Sequence, residues 1–214
     1  MSKAGTNSAL LPEALTTVEA VQQRLGIPTT QDIDRITALI NRVTKWTESV
    51  TERKLKARDY DGSTKNAQTF IPAEKALYFD WRNIIKSKRY GGYRLHLPQY
   101  PIQTGGTNDL TFSIQPISAR SDSGETWDTA MTEWEDFYIE DNGEEGVIVF
   151  ETFPQSNVLV GTQSGLRQYK IQATLGYYEI PEDLEMMVIE RCMEMHKNSD
   201  NVSSETIGDW SRSY

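Results

Sequence analysis

From Gln31 to Arg53, apolar side chains recur at steps of three and four: Ile33, Ile36, Ile40, Val43, Trp46 or Thr47, and Val50. That spacing follows the 3.6-residue helical turn rather than the alternation of a strand, so the segment reads as one long amphipathic helix. Arg35, Arg42 and Lys45 take the outward positions. A stripe of this length needs cover, and the helix is expected to pack in a small helical bundle.

Two further segments can supply that cover. Thr16 and Thr17, with Glu13 and Glu19 nearby, make a helix start, and Val18, Val21 and Leu25 share a face before Gly26 ends the run. Pro28 and Thr29-Thr30 then form a turn and offer an N-cap to the long helix. Near the other end, Pro181 opens a helix whose first turn carries Glu182, Asp183 and Glu185. Leu184, Met187, Val188, Cys192 and Met195 form its stripe, broadened by Met186, Ile189 and Met193. A helix apolar around most of its circumference is buried or shared with a partner. Asn198–Ser204 is expected to end it.

Between these helices the period changes. Asp61-Gly62 is a turn signal and Thr69–Ile71 a short strand candidate. Leu77, Phe79 and Trp81 alternate with more polar residues, as do Leu95 and Leu97 around His96, with a basic hairpin tip (Arg82, Lys86, Lys88, Arg89) between them. Leu110–Ile117, Phe137–Ile139, Val147–Phe150 and Tyr169–Leu175 complete the strands, and Asn142–Gly146 turns the middle pair into a hairpin. The fold class expected is therefore α+β: a helical bundle over 12–54 and 180–199, a large inserted antiparallel β-rich region over 55–179, a flexible leader over 1–11, and an extended C-terminal tail over 200–214.

Chemistry-bearing patterns are sparse. One cysteine, Cys192, excludes an internal disulfide and a cysteine-rich metal site, and its apolar helical setting reads as a core thiol. His96 and His196 lack any spaced set of His, Cys or carboxylate partners, so no metal and no cofactor is expected. No G-x-x-x-x-G-K-[ST], G-x-G-x-x-G or G-x-S-x-G pattern occurs. Glu144-Glu145 and Glu182-Asp183 fall at a turn and a helix start, where solvated charge explains them, and no catalysis is expected. Met1–Ser8 is short and polar, which argues against a signal peptide, and the apolar runs are too short to span a membrane.

Charge is unevenly spread. Residues 1–120 carry 17 Lys/Arg against 11 Asp/Glu, a net of +6, while residues 121–214 carry 5 against 20, a net of −15. Opposite-signed halves suit head-to-tail contact between copies, with simple solvation as the alternative. Arg53, Lys54, Lys56 and Arg58 with Tyr60 form the one patch resembling a nucleic-acid surface, to which the 82–94 segment could add, so a nucleic-acid-binding module is the alternative functional class.

The tail Ser203–Tyr214 sets Ile207, Trp210 and Tyr214 among Ser, Gly and Asp. Large rigid side chains on a polar terminal segment suit anchoring in another protein's pockets.

Several segments together resemble the head–tail connector, or adaptor, proteins of long-tailed double-stranded-DNA bacteriophages. They are the short helix followed by a long one ending in Thr47–Arg53, the turn Tyr60-Asp61-Gly62, the run Arg94–Ile102, Leu175-Gly176-Tyr177, the helix start Pro181–Leu184, and the closing Glu205-x-Ile-Gly-Asp-Trp-Ser-x-Ser-Tyr214. The long β-rich middle departs from the shorter members. The resemblance implies a ring, commonly of twelve copies, beneath the portal protein in the virion neck, assembled in the host cytoplasm. It implies that Glu205, Ile207, Gly208, Asp209, Trp210 and Tyr214 dock on the portal. It further implies a tail-side stopper or tail-completion protein on the far side, and packaged DNA passing through an acidic lumen without specific binding.

Overall fold

A computed structural model describes residues 9–61, 71–87, 91–104, 111–121, 124–152, 169–201, 204–207 and 210–213. The architecture is α+β, with three α-helices and antiparallel sheets among the described residues. The chain divides into two compact units, one of residues 1–53 with 179–214 and one of residues 54–178.

In the first unit, α1 (Val18–Leu25), α2 (Ile33–Thr51) and α3 (Glu182–Asn201) pack on one another. Thr17 caps α1, its Oγ1 accepting from Ala20 N–H at 3.2 Å. At the other end Gly26, at φ 71°, donates to Gln23 O while Ile27 donates to Gln22 O, a Schellman closure. The next helix is not capped by Thr29 or Thr30 as the sequence led us to expect. Asp32, in the left-handed region, precedes it, and Ile36 N–H closes the first turn on Asp32 O at 2.9 Å. The α1–α2 turn is held instead by Gln22, buried on α1, whose Nε2 donates to Thr29 O at 3.1 Å and Gln31 O at 2.7 Å.

The buried face of α2 is Ile36, Thr37, Leu39, Ile40, Val43, Thr44, Thr47 and Glu48. Ile33 and Val50, placed on that face from sequence, are exposed, and of the alternatives Trp46 and Thr47 it is Thr47 that is buried while Trp46 is exposed. Residues 9–11, read as part of a flexible leader, are tied to α2: Leu11 N–H donates to Asn41 Oδ1 at 3.0 Å, and Asn41 Nδ2 donates to Ala9 O at 3.0 Å. Thr16 Oγ1 donates to Glu185 of α3 at 2.9 Å.

Among its described residues the second unit holds three sheets. Strands β1 (Arg58–Asp59), β11 (Thr174–Leu175) and β5 (Ile102–Gln103) form the first, in the order β1-β11-β5. The second is β2 (Leu77–Phe79), β10 (Tyr169–Gln172), β6 (Ser113–Ser121) and β7 (Gly124–Trp127), in the order β2-β10-β6-β7. The third is β3 (Ile84–Lys86), β4 (Tyr93–His96), β9 (Val147–Phe150) and β8 (Tyr138–Ile139), in the order β3-β4-β9-β8. Trp81, read as part of a strand, opens a single 3-10 turn through Asn83 that separates β2 from β3. The Thr69 and Phe70 positions of the strand expected over 69–71 lie outside the described residues.

One core joins these sheets. Ile84, Leu95, Ile148 and Ile139 are cross-strand partners in a single row of the third sheet, and all four are buried. They pack in one cluster with Ile114, Tyr169 and Ile171 of the second sheet and Ile102 and Leu175 of the first. Strand β9 is buried on both faces, which is why Val147–Phe150 is an unbroken apolar run.

Candidate functional site

Three of the segments that carry the family resemblance meet around the first sheet. Tyr60 N–H donates to Ala173 O at 2.8 Å, and Gly176 N–H to Pro101 O at 2.9 Å. Tyr177 N–H donates to Leu55 O at 2.7 Å, and Gln103 Nε2 to Gly176 O at 2.6 Å. Gly176 has φ +106°, and a Cβ there would stand 2.8 Å from Leu55 O and 2.9 Å from Lys56 O. Only glycine lets the strands approach so closely. Beneath them Thr174 Oγ1 donates to Asp59 Oδ1 at 2.6 Å in a buried pair.

Of the basic segment at 53–58, Arg58 is turned into this framework, while Arg53, Lys54 and Lys56 are half-buried. Arg58 is buried with its guanidinium 3.1 Å from Glu74 Oε1, and Tyr60 is buried in the core. A nucleic-acid surface needs its cations presented to phosphate, and Arg58 is not. In the 82–94 segment Arg82 and Lys86 are exposed, Arg94 pairs with Glu140 at 2.6 Å, and Lys88 and Arg89 lie outside the described residues.

The third sheet has a second face. Ile85, Arg94, Val149 and Tyr138 make its outer row, adjacent in register to the buried row. Val149 is covered, whereas Ile85 at one edge is 60% exposed. At the opposite edge the loop before β8 presents Trp134, 79% exposed and stacked on Tyr138 with ring centroids 6.1 Å apart. Trp134 occupies the left-handed region at φ 71°, an outlier for a bulky side chain. The loop is cross-tied: Trp134 N–H donates to Phe137 O at 2.7 Å, Thr132 N–H to Asp136 Oδ2 at 2.7 Å, and Asp136 N–H to Thr132 O at 2.9 Å.

On the helical unit, Trp46 and Val50 of α2 and Met187 of α3 are exposed, and the Arg191 guanidinium lies 5.7 Å from the Trp46 ring centre. His196 lies more than a turn inside the C-terminal end of α3, buried, with Nε2 3.4 Å from Asp32 Oδ2. Cys192 is fully buried, and that burial pushes its thiol pKa up to about 11, far from a nucleophile's range. His96 sits exposed on β4.

The tail is not one extended run. Strands β12 (Ser204–Ile207) and β13 (Trp210–Ser213) pair antiparallel, with Glu205 opposite Arg212 and Ile207 opposite Trp210. Of the residues expected to dock, Glu205, Ile207 and Trp210 therefore share one two-stranded ribbon, while Gly208, Asp209 and Tyr214 lie outside the described residues.

Among the described residues no group of three or more His, Cys, Asp or Glu side chains could hold a metal ion, and no helix is long and apolar enough to cross a membrane. No family model matches this chain, and no curated protein matches it.

Proposed function

We propose that this chain is a structural virion protein, a head–tail adaptor that forms a ring, commonly of twelve copies in the family it resembles, beneath the portal. There it joins the DNA-filled capsid to the tail and extends the DNA channel. The observation that carries the reading is the meeting of Tyr60, Pro101-Ile102 and Leu175–Tyr177 around one sheet, locked by Gly176. Segments far apart in sequence that share one framework support a common architecture more strongly than isolated motifs do. Exposed Trp46, Val50 and Met187 on the helical unit, and Ile85 and Trp134 on the other unit, each support a surface that neighbouring subunits cover. The net −15 of residues 121–214 supports a channel wall that repels DNA and lets it slide.

In this reading the terminal ribbon docks on the portal through Glu205, Ile207, Gly208, Asp209, Trp210 and Tyr214, and the far side of the ring receives the tail-side protein. The test is binding of purified full-length and 202-truncated chains to portal rings. Truncation should abolish binding, and Trp210→Ala should weaken it by about 2–4 kcal/mol per site, as an aromatic hot spot does. Binding that survives truncation would remove the docking role from the tail.

A further inference from the structure

We infer that copies of this chain associate head to tail through opposite edges of one sheet, the Trp134 loop beside β8 of one copy seating against Ile85 on β3 of the next. This deepens the ring reading and rests on it only for closure.

The two edges differ in chemistry and agree in what they lack. Residues 124–152 carry ten Asp/Glu and no Lys or Arg, and Glu133, Glu135 and Asp136 around Trp134 are exposed. The opposite edge carries exposed Lys86, together with exposed Arg82, whose N–H donates to the neighbouring Asp80 Oδ1 at 2.7 Å. Each edge also displays one large apolar side chain out of proportion to the polar residues around it, Trp134 at one and Ile85 at the other. Among the described residues, no further strand flanks β3 or β8.

Geometry forbids a single chain from joining them. Three strand spacings separate β3 from β8, roughly 14 Å across the sheet. A contact between the two edges therefore joins two copies. A contact between two different patches of the same protein is heterologous and repeats from copy to copy until it closes or runs on as a filament. Backbone strain points the same way. A left-handed tryptophan costs the free chain stability and is held there by three cross-loop hydrogen bonds, and such outliers cluster at functional sites. Opposite charge around the two apolar contacts sets the register and disfavours like edges meeting.

The experiment uses full-length protein carrying one introduced thiol. Trp134→Cys and Ile85→Cys are prepared separately, with the unmodified chain as control, since buried Cys192 is shielded. Each is oxidised alone and as an equimolar mixture, at the highest soluble concentration and in particles assembled from both. The mixture should give a covalent dimer at least about tenfold above either variant alone, because only unlike edges meet. A chain bearing both substitutions should give a ladder of higher multimers. Adding Lys86→Glu to the Ile85→Cys chain, or raising the salt, should reduce mixed linkage several-fold, as steering between exposed charges requires. Self-linkage of Trp134→Cys equal to that of the mixture would replace this contact by a two-fold one. Absence of mixed linkage in both settings would overturn it. A neck ring without this linkage would sink the contact and leave the ring. Linkage in solution by a chain that is missing from particles would do the reverse.

Discussion

Replacing Gly176 by alanine tests the framework at its tightest point. The residue sits at φ +106°, where an L side chain costs about 1–2 kcal/mol in backbone conformation. The new Cβ would also meet Leu55 O at 2.8 Å and Lys56 C and O at 2.9 Å. These are backbone atoms fixed by the Tyr177–Leu55 hydrogen bond, so they cannot rotate aside. Forcing a methyl group into such a site adds about 1–3 kcal/mol. Against this, alanine restricts the unfolded chain and returns about 0.4–1 kcal/mol. The net expectation is a loss of about 1–5 kcal/mol, a large share of the roughly 5–15 kcal/mol typical of a folded domain. Urea unfolding followed by tryptophan fluorescence measures it. Gly91→Ala is the control, because Gly91 also has positive φ, at 71°, but among the described residues nothing lies within 4 Å of its Cβ position. A Gly176→Ala loss no larger than that of Gly91→Ala would refute the close-approach argument.

Three other outcomes follow from the same structure. Gln22→Ala should cost about 1–3 kcal/mol in urea unfolding, because the carbonyls of Thr29 and Gln31 lose their common donor; an unchanged midpoint would show that water replaces it at no cost. Cys192 should resist thiol reagents at pH 8 until the chain unfolds. Its pKa is raised to about 11 in the fold, so stability is full below the unfolded thiol's pKa and falls, on the order of 1–3 kcal/mol, as pH climbs from about 9 to about 11; Cys192→Val should flatten that decline. His96→Gln, at an exposed strand position, should leave stability and particle assembly unchanged, whereas His196→Gln, buried beside Asp32, should destabilise by about 1 kcal/mol without altering assembly at permissive temperature.

The long-period elements were legible because burial repeats in them many times. The α2 stripe was readable to within two residues at each end, yet the sequence could not choose between Trp46 and Thr47. Thr47 is buried and donates to Val43 O at 2.9 Å, while Trp46 faces outward beside Arg191. Strand β9 was plain as an apolar run, but β1 and β5 hold two residues each, too few to display a period. Gln22 was missed because one buried polar side chain leaves no pattern. Trp134 was missed because Thr-Glu-Trp-Glu-Asp reads as an ordinary polar loop, and its strain lies in φ. For the tail, Gly208-Asp209 between Ile207 and Trp210 has the composition of a two-residue hairpin loop. Its polar flanks concealed the strands.

The most direct test of the account is cryo-microscopy, with mass spectrometry, of the particles made by the genome that encodes this chain. The account predicts a symmetric ring of this protein directly beneath the portal, with residues 203–214 of each copy seated on portal subunits. Particles whose neck lacks the chain, or a ring in which the portal-facing surface is made by another segment, would contradict it.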